Sequence, residues 1–265
     1  MQLFIGFLLA IIVAVLAWRV HALSPSGAIA AVLTGGLIFG LGGLPWATLL
    51  LTFFISSSAL SKAFKGRKAS LVEKFSKGSQ RDWGQVMANG GLGALCAVGY
   101  AISHQAEWLW LAFAGAMAAV NADTWSTELG VLSPIAPRLI TSGKVVDPGT
   151  SGGITLTGTL SALGGAALVG IFAALFTPES FLPLLGIVIL AGLLGSIFDS
   201  ILGATVQAIY WCPTCQKETE RHPLHTCGSQ TSQVRGWGWF NNDVVNFACS
   251  LMGAIIAAGI WLALK

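Results

Sequence analysis

The chain has 265 residues, of which 54% are hydrophobic and only 9% are charged, and its formal net charge is +3. Its mean hydropathy is +0.75, whereas a soluble domain typically carries about 25% charged residues. This composition excludes a soluble globular enzyme, a disordered chain and a nucleic-acid-binding protein with a basic face, and it leaves a polytopic helical membrane protein.

Eight apolar segments follow one another along the chain, and most approach the length of about 20 residues that a membrane-spanning helix needs. They cover residues 2–18, 27–44, 46–61, 87–103, 108–129, 154–176, 182–210 and 243–264. Gly42, Gly43 and Pro45 between the second and third segments favour a tight hairpin. We therefore predict an all-α bundle of about eight transmembrane helices that forms a single domain over residues 1–265. A polar loop at 211–242 is inserted between the last two spans.

The loop at 62–86 predicts the orientation of this bundle. It holds seven basic and two acidic residues, and loops rich in Lys and Arg stay on the cytoplasmic side. With eight spans, the polar loops at 130–153 and 211–242 lie on that side as well, and both termini lie outside. We expect an integral protein of a prokaryotic inner membrane, or of a thylakoid membrane, with its active site facing the cytoplasm.

Basic and amide side chains in and after this loop are candidate ligands for substrate phosphates, since Lys and Arg neutralise phosphate charge. The candidates are Lys62, Lys65, Arg81 and Asn89. Two alternatives stay open: the lysines could only set the topology or contact lipid head groups, and Asn89 could only hydrogen-bond a neighbouring helix.

Carboxylates within apolar segments are the strongest functional signal, because an ionisable group in a membrane span is costly and is usually kept for function. Asp123 and Glu128 lie in the fifth segment, Asp199 lies in the seventh, and Asp243 opens the eighth. On a helix, Asn121 and Glu128 share one face, and Asp123 lies about 140° from Glu128. Such acids need to be paired, protonated or metal-bound, although Asp243 could only complement the dipole of its helix.

The segment from Asp147 to Gly153 precedes the sixth apolar segment and is rich in glycine and hydroxyl residues. Exposed backbone N–H groups at a helix start favour phosphate. The candidate nucleotide-binding residues here are Gly149, Thr150, Ser151, Gly152 and Gly153. The GK[ST] ending of a Walker A loop is missing, and an ordinary loop with a helix cap is the alternative.

Carboxylate and amide oxygens are hard ligands that suit Mg²⁺, which typically takes one or two carboxylates together with substrate phosphates. The predicted Mg²⁺ ligands are Asn121, Asp123, Glu128, Asp199 and Asp243. The predicted catalytic residues are Asp123, Asp199 and Asp147, and Gln207, Asn241 and Asn242 complete the nucleotide-binding set. We predict a membrane-embedded site for phosphoryl or nucleotidyl transfer, beside an apolar bundle that holds a lipid tail.

A cysteine motif lies in the loop at 211–242. Cys212 and Cys215 form a CxxC pair, which His222, His225 and Cys227 follow. This spacing suits a tetrahedral site for a structural Zn²⁺ with Cys212, Cys215, His225 and Cys227 as ligands and His222 as the alternate. A disulfide is the competing interpretation, but cytoplasmic thiols stay reduced.

Five ordered motifs resemble the integral-membrane family that includes plant phytyl-phosphate kinase and human transmembrane protein 19. They are RDWGQVMANG, NADTWSTELG, DPGTSGGITLTGT, DSILGATVQ and NNDVVNF. The resemblance implies a kinase of phytol salvage for tocopherol biosynthesis, which transfers a phosphoryl group from CTP or ATP to an isoprenyl monophosphate such as phytyl phosphate. It also implies that the metal and nucleotide are held by Asn121, Asp123, Glu128, Asp147, Asp199, Asn242 and Asp243.

Two other functions stay open. A CTP-dependent lipid cytidylyltransferase, to which this family is more distantly similar, would use the same metal and nucleotide and release pyrophosphate. A transporter would bind an anionic solute at the polar clusters, although transporters often carry inverted repeats and the sequence shows none. The expected partners are a nucleoside triphosphate, an isoprenyl monophosphate and membrane lipids, with no nucleic acid.

Overall fold

The computed structural model describes residues 1–64, 77–78 and 80–265, and in these residues it contains seven long helices and two small sheets. The helices are α1 (Gln2–Arg19), α2 (Pro25–Ala63), α3 (Trp83–Ile102), α4 (Glu107–Gly130), α5 (Leu156–Leu175), α6 (Phe181–Thr205) and α7 (Asn242–Leu264), and a 3₁₀ turn at Pro178–Ser180 precedes α6. The strands are β1 (Arg138–Leu139), β2 (Gly153–Ile154), β3 (Ile209–Cys212), β4 (Lys217–Thr219) and β5 (Ser232–Arg235).

Helix α2 is a hairpin of two helices. Gly43, with φ of 73°, interrupts it just before Pro45. The backbone N–H of Ser24 donates to the carbonyl oxygen of Arg81 at 3.0 Å, and the Arg81 guanidinium donates to Ser57 Oγ at 2.7 Å. A straight helix would hold Ser24 and Ser57 roughly 50 Å apart, so the chain reverses at Gly43 and the predicted hairpin is confirmed.

Among the described residues, six helices are long and apolar enough to cross a membrane, and α4 is not one of them. Helix α4 carries Glu107, Asp123 and Glu128, yet its residues from Leu111 to Ala122 are all buried. Because α4 is packed among other helices and not against lipid, it does not need an apolar outer surface. With α4 and both halves of α2 counted, the described chain has the predicted eight helical segments.

Small residues let the backbone of α4 approach three neighbouring helices, as is typical of helix packing in membranes. A Cβ added at Gly165 of α5 would lie 3.0 Å from the Asn121 carbonyl oxygen, and one at Gly192 of α6 would lie 3.0 Å from Ala118 Cβ. Gly115 of α4 and Gly253 of α7 meet backbone to backbone. The end of α4 that carries Asp123 therefore lies within reach of α5, α6 and α7.

The cysteine-containing loop forms a small lobe with its own antiparallel sheet, in the strand order β4-β3-β5. Helix α6 ends at Thr205, so the prediction of a span that reaches residue 210 was five residues too long. Ile209 and Tyr210 are buried, as apolar membrane residues would be, but they lie in strand β3. Apolarity alone does not distinguish a short buried strand from the end of a helix.

Candidate functional site

Asp123 of α4 and Asp199 of α6 lie close enough to interact electrostatically. Ser196, one turn before Asp199 on α6, donates a hydrogen bond to Asp123 Oδ1 at 3.5 Å. Asp199 Oδ2 is buried and accepts no hydrogen bond from the described residues. No Lys or Arg in the described part of the chain forms an ion pair with either acid. Two neighbouring, partly buried carboxylates in this setting favour a bound cation.

A third acid, Glu220, reaches this pair from the lobe, just after strand β4. Its carboxylate accepts hydrogen bonds from Gln207 Nε2 at 2.9 Å and from Ser151 Oγ at 3.2 Å, and it interacts electrostatically with Asp199. The structure thus brings the predicted residues Gln207 and Ser151 to Glu220. Glu220 is not among the predicted residues, because acids are common in polar loops and no spacing rule connects it to Asp199.

The glycine-rich loop lies against the C-terminal end of α6. Gly152 has φ of 83°, and a Cβ there would lie 2.5 Å from the Ala204 backbone nitrogen, so only glycine fits. The Gly153 N–H donates to the Thr150 carbonyl oxygen at 2.9 Å. Helix α5 begins only after Thr155, whose Oγ1 caps it. The loop is therefore separated from α5 by Ile154 and Thr155, and the Thr155 hydroxyl accepts from the Gly158 N–H of that helix. The phosphate site stays a prediction.

Asp147 and Gly149 lie at the N-terminal end of this loop. Asp147 is exposed, and Gly149 has φ of 79° in the turn that follows it. The acids that interact electrostatically with Asp199 are Asp123 and Glu220. The structure thus groups Asp199 with Glu220 and not with the predicted catalytic residue Asp147.

Asn121 is fully buried, and its side chain joins three helices. Its Oδ1 accepts from Ser56 Oγ of α2 at 2.9 Å, and its Nδ2 donates to the Gly165 carbonyl oxygen of α5 at 2.8 Å. Trp125 Nε1 donates to the same Ser56 hydroxyl at 3.2 Å. Both the oxygen and the nitrogen of the amide therefore hydrogen-bond to neighbouring helices. We do not assign Asn121 as a metal ligand for this reason.

Glu128 and Asp243, the other predicted Mg²⁺ ligands, have different neighbours. Glu128 Oε1 accepts from Ser61 Oγ of α2 at 2.6 Å, whereas Asp123 contacts α6. Asp123 and Glu128 therefore lie on different faces of α4, as helical spacing predicts. Asp243 forms an ion pair with Lys77 at 2.5 Å. Of the five predicted ligands, Asp123 and Asp199 are thus placed together, and Asn121, Glu128 and Asp243 each have a further polar partner. The assignment of all five to one metal stays a prediction.

Lys77 connects the loop before α3 to the start of α7. Its Nζ lies 2.9 Å from Asp82 Oδ1 as well as close to Asp243. Burial lowers the pKa of Lys77, but its hydrogen bonds with Asp243 and Asp82 outweigh this effect, so the pKa lies above its ordinary value. Burial raises the pKa of Asp82, but the hydrogen bonds from the Gln85 N–H and from Lys77 outweigh this effect. The pKa of Asp82 therefore lies below its ordinary value. Both groups are therefore charged at neutral pH.

Arg81 is the cation next to an apolar groove. Its guanidinium donates to Ser57 and lies over the rings of Phe53 and Phe54, at 5.1 and 5.5 Å from their centroids. Burial lowers its pKa to about 10, so it stays charged at neutral pH. No ion pair joins it to a carboxylate among the described residues.

The groove next to Arg81 lies between α1, both halves of α2, and α3. It is partly open, and its lining includes Val13, Phe39 and Leu50. Arg81 and Asn89 also line it, and Asn89 Nδ2 donates to a backbone carbonyl of its own helix at 3.0 Å. The groove therefore combines an apolar interior with one cationic group.

Three further predicted residues have simple placements. Asn241 caps α7, since its Oδ1 accepts from the backbone N–H groups of Asp243 and Val244 at 3.0 and 3.2 Å, and Asn242 is the first residue of α7. Lys62 is exposed in the last turn of α2. Lys65 lies outside the described residues.

The predicted zinc ligands lie together in the lobe. The ligand atoms of Cys212, Cys215, His225 and Cys227 all lie within 4.8 Å of one another, and none of the cysteines is in a disulfide. His222, the alternate, stacks on Tyr210 with the ring centroids 4.4 Å apart. The structure thus groups the four residues that the spacing predicted, and the stacking gives His222 a different neighbour.

Comparison with known proteins agrees with a membrane protein of this architecture. The chain is 33% identical to Protein PGR of Arabidopsis thaliana, over 97% of this chain and 95% of that protein. It is 29% identical to an uncharacterized membrane protein of Methanocaldococcus jannaschii, over 99% and 96% of the two chains. It is also 29% identical to Protein VTE6, chloroplastic, of Arabidopsis thaliana, over 90% of this chain and 65% of that protein.

No solved structure matches the chain. The family described as integral membrane protein DUF92 matches residues 8–254, which is nearly the whole chain. The eight helical segments, the resemblance of the five motifs and this match agree with one another, and the chain is therefore a member of the DUF92 family of integral membrane proteins.

Proposed function

We propose that the chain is a Mg²⁺-dependent kinase that transfers the γ-phosphoryl group of CTP or ATP to an isoprenyl monophosphate such as phytyl phosphate. The observation that carries this proposal is the pair of partly buried acids, Asp123 and Asp199, which has no cationic partner among the described residues. The resemblance of the five motifs to the family of plant phytyl-phosphate kinase supports the choice of substrate.

The donor set around Asp199 fits Mg²⁺. The buried Oδ2 of Asp199 accepts no hydrogen bond from the described residues, and Asp123 adds carboxylate oxygens nearby. The carboxylate of Glu220, which also interacts with Asp199, accepts hydrogen bonds from Gln207 and Ser151. In the described chain the cysteine cluster is the one compact group of three or more potential ligands, so the three acids are spaced more openly. An open arrangement suits Mg²⁺, which keeps several waters and binds substrate phosphates. When bound, Mg²⁺ would neutralise the charge of the transferred group.

The proposed reaction requires little proton chemistry from the protein. An anionic oxygen of the lipid phosphate attacks the γ-phosphorus, and the bond from that phosphorus to the β–γ bridging oxygen breaks. The products are the lipid diphosphate and the nucleoside diphosphate. Because the attacking oxygen is already anionic, no side chain has to act as a general base. The side chains therefore act by positioning and charge, as in other phosphoryl transfers.

We propose that the groove beside Arg81 binds the lipid substrate. Its apolar lining suits an isoprenyl chain, whose burial is favourable at about 25 cal/mol per Å² of apolar surface. Arg81 has no carboxylate partner in the described chain, so its guanidinium is available to bind the lipid phosphate. We therefore assign the tail to the groove and the phosphate to Arg81.

Labelled nucleotide tests the proposal directly. Purified protein is incubated with phytyl, geranylgeranyl or farnesyl phosphate, Mg²⁺, and ATP or CTP that carries the label in its α- or γ-phosphate. We expect the γ-label, and not the α-label, to enter the lipid. Transfer of the α-label would establish a cytidylyltransferase instead.

Two further outcomes would overturn the proposal. One is an absence of turnover with every combination of these lipids and nucleotides. The other is nucleotide-independent uptake of the prenyl phosphate into liposomes that contain the protein, which would establish a transporter.

A further inference from the structure

We infer that Cys212, Cys215, His225 and Cys227 bind one Zn²⁺, and that this ion holds Glu220 in place beside Asp199. The zinc site itself does not depend on the proposed kinase activity. The role of Glu220 near a bound nucleotide does rest on that proposal. The two parts are therefore tested separately.

The distances within the cluster match tetrahedral zinc. With Zn–S near 2.3 Å and Zn–N near 2.0–2.1 Å, the ligand atoms of a tetrahedral site are roughly 3.5–3.8 Å apart. Cys212 Sγ lies 3.5 Å from Cys227 Sγ. His225 Nδ1 lies 3.5 Å from Cys215 Sγ and 3.3 Å from Cys227 Sγ. Three thiols and an imidazole at this spacing form a closed site of the structural type.

The backbone around the cysteines is also that of a metal-binding turn. Cys212 ends strand β3, and the Cys215 N–H points back to Cys212 Sγ at 3.5 Å. Strand β4 then pairs with β3, with Lys217 opposite Cys212. The second pair of ligands, His225 and Cys227, comes from the segment between β4 and β5. An ion at this point would join all three strands of the sheet.

The lobe is small enough for a metal link to matter to its stability. It spans residues 206–241, and domains below about 40 residues usually need a metal, disulfides or a partner to fold. Its buried apolar residues include Ala208, Ile209 and Tyr210, and its cysteines form no disulfide. A bound Zn²⁺ would add to its stability, since the binding energy of a structural zinc is also folding energy.

Glu220 connects the lobe to the acidic pair. It follows β4 directly, and its carboxylate accepts hydrogen bonds from Gln207 at the end of α6 and from Ser151 of the glycine-rich loop. Because β4 is held by the cysteine turn at its other end, the position of Glu220 depends on that turn. We therefore assign Glu220 as a positioning residue for the site at Asp199, and Zn²⁺ as the ion that fixes it.

The metal content of the purified full-length protein tests the zinc site. We expect one zinc per chain by elemental analysis after purification without chelators. Cys212→Ser and Cys227→Ser should lose that zinc, whereas Cys96→Ser, a buried cysteine of α3 away from the cluster, should keep it. Retention of a full zinc by Cys212→Ser would overturn the assignment.

Substitution with cobalt is a second test of the zinc site, and it does not require the cysteine variants to fold. The unmodified protein is exchanged with Co²⁺, and we expect the absorption bands of a tetrahedral thiolate complex. Absence of zinc as purified together with absence of these bands would overturn the proposal. A negative kinase assay would not change the zinc content or the cobalt spectrum. The zinc site and the kinase activity can therefore be disproved independently of each other.

Glu220→Gln tests the second part with Mn²⁺ as the probe for the acidic site. We expect the variant to keep its zinc, and its affinity for Mn²⁺, measured by electron paramagnetic resonance, to fall about 10-fold, as is typical for groups that support a metal site. Glu218→Gln, two residues away in β4, is the matched control and should bind Mn²⁺ as the unmodified protein does. Equal Mn²⁺ affinity in the Glu220 and Glu218 variants would overturn the positioning role.

Discussion

At the scale of single residues, polar groups in the bundle fall into two kinds. Asn121 and Ser56 complete each other's hydrogen bonds across helices, so they need no ligand. Asp199 has a buried oxygen that no described residue satisfies, beside a second acid, Asp123. A polar residue in a membrane helix therefore points to a ligand only after its protein partners have been accounted for.

Asp199→Asn tests the acidic pair. The change removes one negative charge and keeps the shape of the side chain, so we expect kcat to fall about 100-fold or more, as for the loss of a charge-stabilising group. Glu107→Gln is the control, since it removes a carboxylate at the opposite end of the bundle, where Glu107 pairs with Lys265. Equal kinase activity in the two variants would exclude Asp199 from the site.

Asn121→Ala tests the packing role of this amide. The change leaves Ser56 and the Gly165 carbonyl without their partner, so we expect a loss of roughly 1–2 kcal/mol in the free energy of unfolding. Thr124→Val is the control, because the Thr124 hydroxyl donates to the Val120 carbonyl oxygen of its own helix. The measurement is a thermal melt in detergent. If Asn121→Ala kept its melting temperature but lost Mn²⁺ binding, the result would instead support Asn121 as a metal ligand.

Arg81→Gln tests the lipid-phosphate site. A hydrogen bond to a charged group contributes about 1.5–3 kcal/mol, so we expect the KM for the prenyl phosphate to rise about 10-fold or more, with a smaller change for the nucleotide. Arg138→Gln is the matched control, because Arg138 is an exposed arginine that hydrogen-bonds to the Gly143 carbonyl. If Arg81→Gln raised only the KM for the nucleotide, Arg81 would not be the group that binds the lipid phosphate.

At the scale of helices, the position of α4 determines where the acids meet. Small residues lie between larger ones on its buried surface, so α5, α6 and α7 pack closely against its backbone. Asp123 is therefore turned toward α6, and Glu128 toward α2. The two acids are only five residues apart in the chain, but the helix directs them to different partners.

Gly253→Ala tests this close packing. Its added methyl group would meet the Gly115 backbone and Ala119 Cβ, the latter at 2.6 Å, and overpacking of this kind costs about 1–3 kcal/mol. We expect a lower melting temperature in detergent. Gly259→Ala on the same helix is the control, since a Cβ there has open space around it. Equal melting temperatures would contradict the close approach of α4 and α7.

At the scale of the whole molecule, the polar loops gather at one end of the bundle. Contacts such as Lys77–Asp243, Ser151–Glu220 and Ser24–Arg81 join these loops to one another. Glu107 and the C-terminal Lys265 meet at the opposite end. The basic loop then predicts that the end with the acids faces the cytoplasm.

Cysteine labelling tests this orientation. Ser142→Cys and Ser103→Cys place exposed thiols in loops at opposite ends of the bundle. With a membrane-impermeant maleimide on intact cells or spheroplasts, we expect Ser103→Cys to react and Ser142→Cys to react only after lysis. The unmodified protein gives the background from its own cysteines. The reverse pattern would invert the topology and move the acids to the outer surface.

The sequence by itself determined the membrane class, the helical segments, the hairpin at Gly43 and the set of four clustered Cys and His residues. These features depend on hydropathy, turn residues and short spacings, which are local properties of the chain. Only the tertiary structure gave Asn121, Glu128 and Asp243 their further polar partners, ended α6 at Thr205 and placed Glu220 beside Asp199. Those facts depend on which distant segments become neighbours, and the packing of small residues around α4 decides that.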